Sequence, residues 1–481
     1  MVGGAVFFLD PKPEPAPMTT VNPHIFRQYD IRGVVGPDIT AQVAEQIGRA
    51  YASLARRRLG KDQPVLSLGR DNRLTSDELA DGVSRGMVAA GARVVDVGLV
   101  PTPAHSFSVA HWGLDGGLQV TGSHNPPQYN GFKMTLGGRS IFGDSIQEIR
   151  RMIAESDYES GEGAVEHREV LGEYVQVLAG KFTIERPIRV VVDCGNGTGS
   201  VVATELLRAL GPNVDVIPIF CESDGTFPNH HPDPVVDKNL VDIIAKVKET
   251  GADLGVAFDG DADRIGAIDD QGGIVRGDTL LLLYGLDLIQ KHGPGQKVVL
   301  DVKCSQQLTE VLESNGGVAL MNATGHSLIK ERMKEEHALL AGELSGHIMF
   351  GDDYYGFDDA LYGALLLIDI VARSGRPLSA WLAEFPQFVS TAELRYPATE
   401  ETKFEIVGRA TEHFRKDHDV IDVDGARVLF GDGWGLIRAS NTEPVLVARY
   451  EARSAERLQE IRSTMEGWLQ GEGIGGPSVG H

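Results

Sequence analysis

Gly86-Met-Val-Ala-Ala-Gly-Ala-Arg-Val-Val-Asp-Val97 reads as the end of a helix, a glycine stop and a β-branched strand. Glycine closes a helix because it takes the left-handed conformation without steric cost, and the valines after it suit a pleated, half-buried surface. The phrase returns at Glu205-Leu-Leu-Arg-Ala-Leu-Gly-Pro-Asn-Val-Asp-Val216 and at Val311-Leu-Glu-Ser-Asn-Gly-Gly-Val-Ala-Leu320. Copies about 110 residues apart are spaced too widely for a short-repeat solenoid and predict three related α/β domains. Upstream of each copy an apolar strand runs into a polar loop, over residues 65–71, 190–195 and 298–303. In open α/β sheets, ligands gather at such strand ends. From about residue 387 the pattern changes. A helix over 407–414, strands over 420–430 and 433–437, and a final helix within 449–470 predict a smaller α+β domain. The expected organisation is a disordered extension (1–21), three α/β domains with mixed sheets (22–168, 169–273, 274–386), an α+β domain (387–473) and a flexible tail (474–481).

Four polar motifs fall on the predicted loops. Thr121-Gly-Ser-His-Asn-Pro-Pro127 puts a serine beside a histidine on a turn stiffened by two prolines, so that Ser123 is expected to be presented rather than buried. Alone it is equally an ordinary Asn-Pro turn. Phe258-Asp-Gly-Asp-Ala-Asp-Arg264 carries carboxylates at Asp259, Asp261 and Asp263, which invite a hard cation. An EF-hand loop needs Gly at its sixth position and Glu at its twelfth; here those are Arg264 and Asp270, and the flanks read as strands. The alternatives are a strand-loop-strand hairpin holding Mg²⁺ and a solvated acidic turn. Gly342-Glu-Leu-Ser-Gly-His347 offers a carboxylate, a hydroxyl and an imidazole, the equipment for binding a polyol. Arg438-Ala-Ser-Asn-Thr442 sets a guanidinium beside Ser440, Asn441 and Thr442, a cluster suited to a phosphate dianion.

Composition narrows the class. Lys and Arg number 45 against 68 Asp and Glu, a net charge of −23, which argues against nucleic acid as a partner. Three cysteines, Cys194, Cys221 and Cys304, far apart in sequence and odd in number, read as reduced thiols of a cytoplasmic protein. The apolar run 360–372 is broken by Asp369 and too short to span a bilayer, so no membrane association is expected. Residues 5–9 are apolar but lack a basic leader and precede Pro11, Pro13, Pro15 and Pro17, unlike a signal peptide; Met18 is an alternative start.

Taken in order, the motifs resemble the α-D-phosphohexomutase superfamily, in its bacterial phosphomannomutase/phosphoglucomutase branch. The resemblance runs from Phe26-Arg-Gln-Tyr-Asp-Ile-Arg-Gly33 to the strand ending at Tyr450. It takes in Gly69-Arg-Asp71, Asn130-Gly-Phe-Lys133, Val192-Asp-Cys-Gly-Asn-Gly197, Phe227-Pro-Asn-His-His-Pro-Asp233, Asp301-Val-Lys-Cys304, Thr324-Gly-His-Ser327 and Gly356-Phe-Asp-Asp359. Ala262 stands where many relatives have Gly, and Leu344 where this branch often has Met.

The resemblance implies reversible phosphate transfer between C1 and C6 of a mannose or glucose phosphate. The route would be a phosphoserine at Ser123 and a hexose 1,6-bisphosphate that also serves as activator. It further implies that the fourth domain closes a central cleft, and that Ser123 joins Asp259, Asp261 and Asp263 around Mg²⁺. Arg32, Lys133 and His347 are the candidates for proton transfer, with His124 orienting the serine. Imidazole as a class changes charge near neutral pH, whereas guanidinium does not release its proton. Tyr29, Arg264, Lys303, His326, Glu343, Ser345, Arg438, Ser440, Asn441 and Thr442 are the expected substrate contacts. Arg27, Arg32, Lys133, Arg264, Lys303 and Arg438 concentrate positive charge near the motifs of an otherwise acidic chain, as an anionic substrate requires. The rivals are a phosphoglucosamine mutase, a serine phosphohydrolase and a silent phosphosugar-binding protein. The chain is expected to act as a monomer or small homo-oligomer.

Overall fold

The computed structural model describes residues 21–441 and 443–479, arranged on four β-sheets. The predicted extension therefore lies almost wholly outside the described residues. The first three sheets repeat one plan. In each, a central strand (Val65–Arg70, Ile188–Asp193, Lys297–Asp301) is flanked in parallel by the strand after the helix-glycine stop (Arg93–Leu99, Val214–Ile219, Val318–Asn322). Gly91, Gly211 and Gly316 are all at positive φ, as the stop requires. On its other side the central strand meets a second parallel neighbour, Gly116–Val120, Leu254–Phe258 or Leu340–Gly342. That neighbour then turns back antiparallel into Tyr129–Leu136, Ile265–Asp269 or Ile348–Phe350, so the three sheets are mixed.

The consequence for function is topological. The turn-back loop of the first sheet contains Ser123, that of the second the aspartate triplet, and that of the third Glu343 to His347. Three motifs that look unrelated in sequence occupy one equivalent place in three copies of a fold.

The second and third sheets are bound by shared packing. The helix Ala360–Ser374 is apolar and buried on most of its surface, and it joins Gly277–His292 in a core continuous with both sheets. Its hydrophobicity thus serves the protein core, and among the described residues no helix is long and apolar enough to cross a membrane.

The fourth sheet is antiparallel, in the order Asp419–Ile421, Ala426–Leu429, Gly433–Ala439, Val445–Ala452, Leu394–Pro397, Ser478–Val479. Helices Lys403–Phe414 and Ala455–Gly471 cover it. The single strand expected over 420–430 is a hairpin, broken where Gly425 takes φ +104° against the carbonyl of Ile437. The glycine-rich end expected to be loose carries a strand at 478–479 on Leu394–Pro397. Arg427 fastens this domain to the third: fully buried, it lies 3.8 Å over the Trp434 ring and donates to the carbonyls of Val302 (2.6 Å) and Cys304 (2.8 Å).

Candidate active site

Ser123 stands at φ +49°, a left-handed setting that a non-glycine residue holds only when its surroundings dictate it. Arg73 does so. Its guanidinium donates to the carbonyls of Ser123 (2.7 Å), Asn125 (2.6 Å), Pro126 (2.7 Å) and Tyr129 (3.0 Å), and its Nε to Asp71 (3.1 Å). Asp71 also accepts the backbone N–H of Gly122 at 3.0 Å, and a Cβ on Gly122 would lie 2.4 Å from the guanidinium carbon. The loop is thus gripped from behind by a buried cation. Ser123 is only 2% exposed, in contrast to the presentation expected from the prolines, because the loop carrying the aspartate triplet closes over it. A Cβ on Gly260 would meet the Ser123 carbonyl at 2.3 Å, so only glycine allows this approach.

Ser123 Oγ donates to Asp259 Oδ2 at 3.0 Å and lies 3.2 Å from His124 Nδ1. Asp259 Oδ1 accepts the backbone N–H groups of Asp263 and Arg264, both at 3.1 Å. Asp261 Oδ2 accepts from Thr102 (2.5 Å), Thr121 (3.1 Å) and Lys133 Nζ (2.7 Å), and Lys133 also reaches Asp263 at 2.5 Å. All three carboxylates are at most 1% exposed. Burial, together with the charges of Asp261 and Asp263, pushes the Asp259 carboxyl well above the ordinary range. Burial acts the same way on Asp261, but the Lys133 ammonium outweighs it and holds that group down. Burial would likewise discharge Lys133, yet the three carboxylates keep it firmly protonated. Ala262 takes φ +58° in the middle of this loop, which explains why glycine is the easier residue there.

Arg32 directs Nη1 to Asn125 Oδ1 (2.6 Å) and pairs with Asp30. Arg264 Nε donates to His347 Nε2 at 2.9 Å, and His347 Nδ1 lies 2.9 Å from Asp358 Oδ2 and 3.5 Å from Asp263 Oδ1. Lys330 (2.7 Å) also holds Asp358, and the His326 ring stacks on that of His347 at 5.0 Å. Burial, and then the surrounding cations beginning with Arg264 and Arg32, hold the partly exposed His124 well below the ordinary histidine range.

A second cluster forms where the first, third and fourth domains meet. Tyr29 Oη donates to the Thr324 carbonyl (2.8 Å) and accepts from Asn441 (2.7 Å). Glu343 accepts the Gly325 N–H at 2.6 Å and the Ser345 hydroxyl at 3.3 Å. Arg438, 7% exposed, donates to Asp424 (2.9 Å), which also accepts the N–H of Thr324 (3.0 Å). The carbonyl of Ser440 accepts from Lys403 at 2.7 Å. Lys303 pairs with Glu393 at 2.8 Å and holds that carboxyl down to about 2. Thr442 lies outside the described residues.

Similarity to known proteins agrees with this geometry. Residues 23–160, 172–273 and 276–388 match alpha/beta/alpha domains I, II and III of phosphoglucomutase/phosphomannomutase, and residues 393–467 match its C-terminal domain. The chain belongs to the phosphoglucomutase/phosphomannomutase family. It is 46% identical to a phosphomannomutase/phosphoglucomutase of Pseudomonas putida, over 91% of this chain and 94% of that protein. With a Neisseria meningitidis phosphoglucomutase it shares 41% identity, over 94% and 98% of the two chains. A crystal structure of a phosphoglucomutase/phosphomannomutase family protein from Burkholderia thailandensis superposes with a TM-score of 0.87 at 42% identity, covering 94% of this chain and 98% of that one.

Asp259, Asp261 and Asp263 offer ligand atoms close enough together to hold a metal ion. Asp261 Oδ1 and Asp263 Oδ1 are buried without a hydrogen-bond partner, and the three carboxylates repel one another. All-oxygen ligands with unpartnered carboxylate oxygens suit a hard divalent cation. Of the residues predicted for the site, Ser123, His124, Lys133, Arg32, Arg264, His347 and the triplet form one contiguous cluster, and Tyr29, Glu343, Arg438 and Asn441 converge in the other. Arg73, Thr102, Lys330, Asp358, Glu393 and Asp424 escaped sequence reasoning. Asp358 alone lies within a recognisable motif, Gly356-Phe-Asp-Asp359; the rest are ordinary residues that only the fold brings to the site.

Proposed function

We infer that this chain is a phosphomannomutase/phosphoglucomutase that moves phosphate between C1 and C6 of a phosphohexose through a phosphoserine. The observation that carries the reading is the seat of Ser123, whose buried hydroxyl donates to Asp259 where the serine and metal loops meet, with Lys133, Arg32 and Arg264 gathered around it. Direct transfer would require one phosphate to cross a sugar ring, and a relay avoids this. The phosphorus–Oγ bond of phosphoserine breaks as a bond to the free sugar hydroxyl forms, giving a hexose 1,6-bisphosphate. The bisphosphate turns over in the cleft, and Ser123 Oγ then takes its other phosphate.

Mg²⁺, held by Asp259, Asp261, Asp263 and the Ser123 side chain, would supply charge neutralisation at the transferring group. Lys133, kept as an ammonium by its carboxylates, offers a proton and a positive charge to the oxygen that leaves. Arg32 acts electrostatically. His347 Nε2 receives the Arg264 Nε–H, and a sugar hydroxyl that displaces the Arg264 guanidinium meets an acceptor there. Glu343 and Ser345 bind sugar hydroxyls with His326 beside them. Tyr29, Lys303, Arg438, Ser440, Asn441 and Thr442 hold the phosphate that is not moving. Holding a remote phosphate matters only when an intermediate must be kept, which disfavours a hydrolase. The enzyme works in the cytoplasm and is primed by hexose 1,6-bisphosphate.

The test is conversion of mannose, glucose and glucosamine 1-phosphates to their 6-phosphates with a trace of bisphosphate, together with intact mass of the purified protein. Turnover of the first two and a phosphate that Ser123→Ala lacks are expected. Full turnover by Ser123→Ala would refute the relay.

A further inference from the structure

Two cysteines without a part in this chemistry stand almost in bonding range. Cys194 comes directly after the strand Ile188–Asp193, Cys221 just after its parallel neighbour Val214–Ile219, and their sulfurs are 3.2 Å apart, both free thiols. Far apart in sequence, they meet because neighbouring parallel strands end side by side. A disulfide bond is about 2.05 Å long, so closure asks the sulfurs to approach by only about 1.2 Å. Cys194 is fully buried and Cys221 partly exposed, so a small oxidant reaches Cys221 first.

The turn that begins at Cys194 reaches the metal loop directly. The Gly197 N–H bonds to the Cys194 carbonyl and the Thr198 N–H to that of Gly260, both at 2.8 Å. A Cβ on Gly197 would lie 2.8 Å from the Gly260 oxygen, so the two turns are in backbone contact. The Asn196 carbonyl accepts from Asn72 of the first domain at 2.7 Å. Gly195 and Asn196 both sit at positive φ, which makes this turn poorly able to absorb a pull on Cys194.

We propose that Cys194 and Cys221 form a hydroperoxide-sensitive thiol pair whose closure to a disulfide displaces the 194–198 turn and weakens cation binding at the Asp259–Asp263 loop. The Cys221 thiolate attacks the peroxide oxygen, giving a sulfenic acid and releasing hydroxide, which takes up the thiol proton to become water. The Cys194 sulfur then attacks the sulfenic sulfur, the S–S bond forms and a second water leaves. Two thiols thus lose two electrons and two protons, and one peroxide is reduced to two waters. The Cys194 thiol beside it holds the Cys221 thiol below the usual range, which favours this order. Cys304 is buried against Asp301, which together with burial holds it as the thiol, so it serves as an internal control.

The test treats the full-length enzyme with hydrogen peroxide, alkylates it, and digests it without reductant. A cross-linked peptide joining Cys194 to Cys221, released by dithiothreitol, is expected, with Cys304 alkylated throughout. Both thiols alkylated after peroxide would overturn the pair. The link to the metal loop rests on the proposed function and is read separately, as the Mg²⁺ concentration for half-maximal turnover and by calorimetric Mg²⁺ binding. The oxidised protein should need severalfold more Mg²⁺, reversibly. Cys221→Ser should keep basal turnover and lose this response; Cys194→Ser provides the same test should Cys221→Ser fold poorly. A cross-link that leaves Mg²⁺ binding unchanged would overturn the coupling alone, and peroxide sensitivity that survives in Cys221→Ser would assign the effect elsewhere.

Discussion

Replacing Arg73 by lysine keeps the charge and removes the fork. Arg73 makes five side-chain hydrogen bonds, four of them to carbonyls of the serine loop, while an ammonium has three donors. At least two charge-assisted bonds are lost, and at 1.5–3 kcal/mol each the frame loosens by about 3–6 kcal/mol, an upper bound because neighbouring bonds are not additive. The left-handed Ser123 stores about 1–3 kcal/mol of backbone strain, so the weakened frame lets it relax. An ångström of misplacement at a reacting atom costs about 10²-fold. Arg73→Lys should therefore lower kcat about 10²-fold while KM for glucose 1-phosphate stays within about threefold, since the residues proposed to hold the remote phosphate lie in the other cluster. Steady-state assays at saturating bisphosphate, paired with a melting curve, measure this. Turnover within threefold of wild type would mean the prolines suffice to set the loop and Arg73 is only a packing residue.

The same geometry carries three further expectations. Asp261→Asn removes one of the negative charges offered to the cation and should cut turnover about 10²-fold or more, with weaker Mg²⁺ binding by calorimetry; unchanged Mg²⁺ dependence would make the triplet a turn. Arg438→Ala should weaken phosphosugar binding about 10- to 150-fold, from 1.5–3 kcal/mol for a charge-assisted phosphate contact, and raise the bisphosphate requirement while Ser123 is still phosphorylated. Asp358→Asn removes the negative charge beside Lys330 and His347, and should lower kcat about 10- to 100-fold with little change in KM; equal loss in both would assign Asp358 to binding instead.

Much of the fold is legible in the chain alone. Helix periodicity, glycine stops and β-branched runs are local, so the three copies of one α/β unit can be read from 86–97, 205–216 and 311–320. The motif chemistry is equally local, because a serine on a turn or three alternating aspartates declare what they can bind without reference to neighbours. Misreadings come where local signals compete with packing. Prolines suggest an exposed Ser123, but the glycine at 260 lets the second domain's loop cover it. A continuous strand over 420–430 is broken by a turn whose Asp424 is needed at Arg438 and Thr324.

The amino-acid sequence by itself determined the repeated architecture, the family chemistry and the loops on which it falls. Tertiary structure decided that those loops are equivalent turn-backs of three sheets and that they touch one another. It also decided that Lys133 lies between Asp261 and Asp263, that Arg73 grips the serine loop, that Arg427 anchors the fourth domain on the third and that Cys194 meets Cys221. The physical reason is separation along the chain: Lys133 and Asp263 are 130 residues apart, Tyr29 and Asn441 are 412. No pattern in a short window records a contact between them, and their hydrogen bonds and charges take effect only once burial of the apolar faces has brought the sheets together.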